Sequence, residues 1–198
     1  MRWIGLTGGI ATGKSSATKV LRNLGYRVID ADEVAHGVTA LGAPVLPLLF
    51  STFGDSIREP NGGLNRRALG QKVFGHPEEI RKLEAILHPL IRAAVDVEKR
   101  QFEAAGASLA FYDVPLLFEK NLSAEFDAVI LIYASEELQI TRMQARNGLT
   151  RAEAVARIRS QWPIEQKRSL TTYIVDNSRD LAWLESEIRR VLSELGVK

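Results

Sequence analysis

Gly8 to Ser15 reads Gly-Gly-Ile-Ala-Thr-Gly-Lys-Ser and constrains this chain more than any other stretch. It fits G-x-x-x-x-G-K-[ST], with Gly8 and Gly13 as the spaced glycines. Trp3 to Thr7 before it is a short apolar run of strand type, and Ser15 to Leu24 after it keeps helical spacing. A strand, a glycine-rich turn and a helix in that order form a phosphate-binding loop. Successive backbone N–H groups and a helix N-terminus converge there on one anion. Glycine lets the backbone wrap that closely, because no Cβ blocks positive φ. Lys14 can then reach the β- and γ-phosphates of a bound nucleotide, while the Ser15 hydroxyl can ligate Mg²⁺. Gly9, Ala11, Thr12, Gly13, Lys14, Ser15 and Ser16 are the residues expected around the phosphates.

The helix after the loop carries Ala17, Val20, Leu21 and Leu24 at i, i+3, i+4 and i+7, so one face is buried. Gly25 is placed to end it, and Arg27 to Ile29 forms a second short strand closing on Asp30-Ala31-Asp32. Strand, helix and strand over some thirty residues imply a parallel sheet. Ligands of open parallel sheets sit outside the carboxyl ends of the strands, so Asp30 and Asp32 are expected near the phosphates. Asp32 is read on a loop there, either orienting an acceptor hydroxyl or capping the helix that follows. Asp30 suits the waters of a metal ion.

Residues 33–106 show no convincing strand and read as a helical insertion. Gly42 to Phe53 is apolar with two prolines, and Glu59-Pro60-Asn61-Gly62-Gly63 is a loop signal. Asn65 is expected to cap a helix over Arg66 to Phe74, and Pro77 to open another. The second keeps Ile80, Leu83, Ile86, Leu87, Leu90 and Ile91 in helical spacing, with a bend expected at Pro89 near His88.

Three further strands follow, at Ser108 to Val114, Ala128 to Tyr133 and Tyr173 to Val175, making five in all. The first closes on Asp113 after four apolar or aromatic residues, the shape of a Walker B strand and a second carboxylate for metal waters. Ser135 caps the next helix and Asn147-Gly148 ends it. Thr150-x-x-Glu153 is a capping box for a short helix running to about Gln161. The last helix stripes Leu181, Leu184, Ile188, Val191, Leu192 and Leu195 on one face.

Composition bounds the partners. With 198 residues, 45% of them hydrophobic, a sizeable core is available and global disorder is excluded. No run approaches the ~18–20 apolar residues of a membrane span. Met1-Arg2-Trp3-Ile4 leads straight into a strand, leaving no expected room for a signal peptide. There is no cysteine, hence no disulfide or thiolate chemistry, and no paired-histidine spacing for zinc. A cytoplasmic protein is expected. The net charge is +2, but Arg142 to Arg168 holds seven basic residues against Glu153 and Glu165. That segment therefore carries +5 and the remainder −3, which suits a polyanionic ligand. No nucleic-acid-binding signature accompanies it. His36 and His76 read as surface residues, and His88 as a structural or ligand-contacting one.

A phosphate-binding loop says nucleoside triphosphate, not what is done with it. The DxxG and NKxD segments of a GTPase do not occur. A small kinase needs a carboxylate by the acceptor, cations around the transferring group and exclusion of water. Asp32 is the candidate carboxylate. Arg142 and Arg146, four apart on one helix, are candidate cations or simply a solvated face. Residues 148–171, short helices bounded by Gly and Pro, look like a lid. These residues alone leave open a kinase for another small hydroxyl compound or nucleoside monophosphate, and a nucleotide-binding regulator without an acceptor.

Over nearly its whole length the chain resembles the dephospho-CoA kinases. The resemblance is carried by Gly5 to Ile10 leading into Gly13-Lys14-Ser15, by Ile29-Asp30-Ala31-Asp32, and by His88-Pro89. It continues through Asp113-Val114-Pro115-Leu116-Leu117-Phe118-Glu119, Arg142, Arg146-Asn147-Gly148-Leu149, Gln161-Trp162-Pro163 with Lys167, and Tyr173 to Asn177. It implies a P-loop kinase fold: a five-stranded parallel sheet flanked by helices, with a helical substrate-side insertion and a helical lid. The core would be 1–32 with 107–147 and 172–198, the CoA-side domain 33–106 and the lid 148–171.

The implied reaction moves the ATP γ-phosphoryl, with Mg²⁺, to the 3′-hydroxyl of the dephospho-CoA ribose, the last step of coenzyme A biosynthesis. By position Asp32 is the implied catalytic carboxylate, Lys14 and Ser15 the phosphate–Mg²⁺ pair, and Arg142 with Arg146 the lid cations. Asn177 is implied to lie beside the adenine. A small-molecule substrate, dephospho-CoA, with no nucleic acid or membrane partner is expected; the oligomeric state stays open, a monomer being compatible with the sequence. Ala11 stands where the family usually has Gly, Ser16 where Thr is frequent, and Asn147 where Asp is usual. The backbone at Ala11 is therefore expected to avoid a glycine-only conformation.

Overall fold

The computed structural model describes residues 1–196. Five strands are present: β1 (Arg2–Gly8), β2 (Arg27–Asp30), β3 (Leu109–Asp113), β4 (Ala128–Tyr133) and β5 (Tyr173–Asp176). The α-helices among the described residues are α1 (Lys14–Asn23), α2 (Ala31–Val38), α3 (Leu46–Phe53), α4 (Arg66–Val73) and α5 (Pro77–Ala104), then α6 (Glu136–Asn147), α7 (Arg151–Ile158), α8 (Ile164–Arg168) and α9 (Leu181–Glu194). The chain divides into two compact units, one of Met1–Asp30 with Phe102–Lys198 and one of Ala31–Gln101. No helix among the described residues is long and apolar enough to cross a membrane.

The first unit is built on one wholly parallel sheet in the order β2-β3-β1-β4-β5. Its strands are near-continuous apolar runs because helices cover both faces of such a sheet. β1 is central, paired with β3 on one side and β4 on the other. Register sets Asp30 beside Asp113, and Tyr133 beside Asp176, so four polar or aromatic side chains share the carboxyl edge. The connection from β1 runs to β2 on one side of the sheet and that from its neighbour β4 runs to β5 on the other, which makes the loop after β1 the natural ligand site.

Ile4, Leu6, Phe111, Ile132 and Val175 from the strands pack with Leu21 of α1 and Leu184, Ile188, Val191 and Leu192 of α9. Burying each such aliphatic side chain stabilises by about 1.5–3 kcal/mol. Ile188, only 3% exposed, would cost about 2–5 kcal/mol if cut to Ala.

Helix ends follow the expected chemistry. Ser135 Oγ accepts the Leu138 N–H at 3.4 Å, and α6 stops at Gly148 with φ 65°. Both bonds of the Thr150–Glu153 capping box form. Asp180 Oδ1 caps α9 by accepting the Trp183 N–H at 2.9 Å.

The second unit has its own core, with Leu49, Phe50, Phe53, Ile57 and Leu69 packed against Leu83, Ile86 and Leu87. Asn65 Oδ1 caps α4 at 2.9 Å. The stretch read only as apolar with two prolines contains α3, because Pro47 falls in its first turn, where a missing N–H costs nothing. Pro89 lies inside α5, which continues through it as one helix.

Candidate active site

The turn after β1 is shaped by two residues at positive φ. Gly13 (φ 93°, ψ 21°) precedes α1 as its N-cap and offers no side chain, so no side-chain bond occupies the first-turn N–H groups. A Cβ on Gly13 would also run into Asn177 Nδ2, which is held on the Thr12 carbonyl, so only glycine fits without displacing it. Ala11 has φ 57°, inside the small left-handed region open to L residues. The departure from glycine is thus accommodated by a left-handed conformation that glycine favours but does not monopolise. Thr12 turns its hydroxyl back to the Gly9 carbonyl at 2.9 Å and is fully buried. These bonds leave the loop amides and the α1 N-terminus arranged for an anion.

Lys14, the first residue of α1, pairs through Nζ with Asp113 Oδ1. Thr18, one turn further along the same face, donates its hydroxyl to Asp113 Oδ2 at 2.7 Å. Burial pushes the Asp113 carboxyl above the usual carboxylate range; the Lys14 ammonium and the Thr18 hydroxyl work against that rise, and the charge of Asp30 adds to it. Thr18 was missed in the sequence reading, though its i, i+4 spacing from Lys14 was the available signal.

Arg142 Nη2, from α6, donates to the Asn177 carbonyl at 2.7 Å, and Nη1 reaches the Ala11 and Thr12 carbonyls at 3.4 Å each. Burial lowers the affinity of Arg142 for its proton, while nearby Asp176 raises it. Asn177, just past β5, donates Nδ2 to the Thr12 carbonyl at 2.7 Å and its N–H to the Tyr133 carbonyl at 2.8 Å. Loop, α6 and the end of β5 are thereby tied into one frame. Beside it lies a cavity of about 530 Å³, lined by Gly13, Ser16, Arg142, Arg146, Arg179 and Leu181 among others. That volume lies within the ~300–1,000 Å³ common for small-molecule sites. Arg146 is exposed, with Nε on Asn147 Oδ1 at 3.0 Å, and shares the cavity with Arg142 as their spacing predicts. Arg179 and Leu181 were not anticipated.

Two expectations need correction. Asp32 is not on a loop, because β2 ends at Asp30 and α2 begins at Ala31 with nothing between them. For the same reason Asp32 does not cap α2; it is the helix's second residue, in the first turn, and belongs to the second unit. The structure thus brings Lys14, Asp113, Asp30, Arg142 and Asn177 to the carboxyl edge of one sheet, with Ser15 in the first turn of α1. All three histidines are exposed, and His88 Nε2 is 3.8 Å from Glu84 Oε1, an ion-pair distance rather than a hydrogen bond. Among the described residues no group of three or more His, Cys, Asp or Glu is arranged to hold a metal ion.

A family model for dephospho-CoA kinase matches residues 2–182, taking in the loop, Asp113 and Asn177. The chain belongs to the dephospho-CoA kinase family. It is 43% identical over 195 residues to a dephospho-CoA kinase of Anaeromyxobacter dehalogenans, covering 98% of this chain and 92% of the relative. The Campylobacter jejuni dephospho-CoA kinase structure superposes with a TM-score of 0.72 at 31% identity, covering 98% of both chains. Thermus thermophilus protein TT1252 gives a TM-score of 0.85 at 37% identity, covering 98% of this chain and 97% of that one. As a member of the dephospho-CoA kinase family, the chain is an ATP-dependent kinase with the P-loop kinase fold.

Proposed function

We propose that this enzyme transfers the γ-phosphoryl of ATP to the 3′-hydroxyl of the dephospho-CoA ribose, giving CoA and ADP. The observation that carries this reading is the family match running through residues 2–182 without omitting any part of the loop site.

The residues support named roles. Loop amides after Ile10, whose own N–H is held by Gln161, and the N-terminus of α1 bind the triphosphate. Lys14 adds a point charge; an ammonium has three donors, so one can stay on Asp113 while others face phosphate oxygens. Arg142 and Arg146 supply positive charge toward the cavity, which takes the nucleoside beside Asn177. Asp32 accepts the proton of the attacking hydroxyl, and its place in the first turn of α2 ties it to the end of β2 through two residues of chain. Residues 148–171 exclude water, and the second unit supplies the surface for the acceptor.

The donors fit a magnesium ion. Mg²⁺ is ordinarily held by phosphates, waters and one or two carboxylates rather than by a cage of protein ligands. One hydroxyl at Ser15, with Asp30 and Asp113 side by side on adjacent strands, matches that sparse set. The ion would supply charge neutralisation on the β- and γ-phosphoryl oxygens.

An ADP-release assay tests the reading. Dephospho-CoA should stimulate turnover well above basal hydrolysis, and a panel of nucleoside monophosphates and small alcohols should not. No stimulation by dephospho-CoA would sink it, and stimulation by another acceptor would redirect it.

A further inference from the structure

The basic segment after α6 is fastened to the phosphate-binding loop by contacts that the proposed chemistry does not use. Lys167, on α8, is completely buried. Its Nζ donates to the Gly8 carbonyl at 3.3 Å and pairs with Glu119 Oε1 at 2.7 Å. Gly8 is the last residue of β1, so the bond grips the loop where it leaves the sheet. Glu119 Oε1 also accepts the Trp162 N–H at 3.0 Å, while the buried Glu119 Oε2 has no hydrogen-bond partner. One residue before Trp162, Gln161 Oε1 accepts the Ile10 N–H of the loop at 3.1 Å.

A buried ion pair is a poor device for stability alone. Taking both charges from water costs several kcal/mol per ion, and well-packed apolar replacements are often neutral or stabilising. The Glu119 carboxylate is only half satisfied, which makes the pair weaker still as a structural element. What an apolar residue at 167 could not do is donate to the Gly8 carbonyl. Glu119 keeps the ammonium charged and in place, and Gln161 fixes the loop amide two residues further on.

We infer that Lys167, oriented by Glu119, is a positioning residue for the phosphate-binding loop. With Gln161 it forms a strap that holds Gly8 to Ile10, so that the following amides stay aimed at the triphosphate. The inference rests on the reading that this loop binds ATP, and it assigns the strap an effect on ATP rather than on the acceptor.

The test is ATP binding by isothermal titration, without acceptor, alongside thermal unfolding. The variants are Lys167→Met, Glu119→Gln, the double variant and Gln161→Ala. Lys167→Met strands a buried carboxylate and should lower Tm most. The double variant strands no charge and should recover much of that Tm, yet still bind ATP ~10-fold more weakly than the wild type, since the Gly8 carbonyl has no donor. Gln161→Ala, whose lost bond reaches only the loop, should weaken ATP severalfold with little change in Tm. In turnover the KM for ATP should rise while that for dephospho-CoA holds. The strap is overturned if the double variant binds ATP as the wild type does, or if Gln161→Ala leaves ATP affinity unchanged. Should the Lys167 variants not fold, Gln161→Ala decides alone. Absence of ATP binding by the wild type would count instead against the functional reading.

Discussion

Lys14 and Asp113, 99 residues apart in sequence, form an ion pair whose carboxylate is completely buried. The pair sets the phosphate-facing lysine, at the start of α1, against the end of β3, and Thr18 completes the carboxylate's shell. Burial is what dominates the proton affinity of Asp113, with the lysine only partly compensating.

A pH signature follows for Asp113→Asn. Because the folded carboxyl holds its proton above its ordinary value of 3.8, ionisation costs the folded state at neutral pH. That cost disappears as pH falls through the folded value toward the unfolded one. The wild type should therefore gain Tm relative to Asp113→Asn on acidification from pH 8 to pH 4, while at neutral pH the variant loses ~10-fold or more in turnover through a misplaced Lys14. A wild type that instead loses ground to the variant as pH drops would reverse the assigned direction.

Arg142 is held by three backbone carbonyls drawn from the loop and the end of β5. Only a forked guanidinium spans them, and the single nitrogen of an ammonium does not. Arg142→Lys should accordingly behave much like Arg142→Ala, each weakening ATP binding and lowering turnover by ~10-fold or more. The check is kcat and KM for ATP across the pair. A lysine variant with near-wild-type constants would show that charge alone suffices there.

Much of this was legible because it is local. The loop, the five strands, the caps at Asn65, Ser135 and Thr150 and the stripe on α9 are patterns within a dozen residues. Helix α3 was hidden by Pro44 and Pro47, which read as breakers until one of them is seen to open the helix. Asp32 reads as a loop residue because the sequence does not show that β2 runs into α2 directly. Lys167 had no readable role, since a buried lysine looks like any surface lysine until Glu119 and Gly8 meet it from other elements. Arg142 was anticipated as a charge, and its backbone carbonyl partners could not be.

The two positive-φ residues of the loop should respond in opposite ways. Ala11 at φ 57° bears a left-handed cost of about 1 kcal/mol that glycine would relieve, offset by about 0.5–1 kcal/mol of added unfolded-state freedom. Ala11→Gly should therefore leave Tm and ATP affinity almost unchanged. Gly13→Ala cannot be so mild, because φ 93° is strained for any L residue and the new Cβ would displace Asn177 from the Thr12 carbonyl. Lower Tm and at least ~10-fold weaker ATP binding are expected. Equal tolerance of both changes in thermal unfolding and titration would contradict the loop geometry.

Asp32→Asn separates acid–base chemistry from binding. Asp32 is exposed, in the first turn of α2, where the side chain of either Asp or Asn is tolerated and the helix loses a favourable charge at its positive end. That loss is worth about 0.3–1 kcal/mol, so the variant should fold with a Tm close to that of the wild type. The proposed ATP contacts come from the loop after Ile10, the N-terminus of α1 and Arg142, so nucleotide affinity should hold as well. If Asp32 takes the proton from the acceptor hydroxyl, the amide cannot, and turnover should fall ~10²-fold or more with the KM for ATP unchanged. The measurement is steady-state kcat with both substrates saturating, paired with ATP titration of the same protein. Turnover within a few fold of the wild type would remove Asp32 from the chemistry and return the role of base to another carboxylate, for which Asp30 at the end of β2 is the next to test.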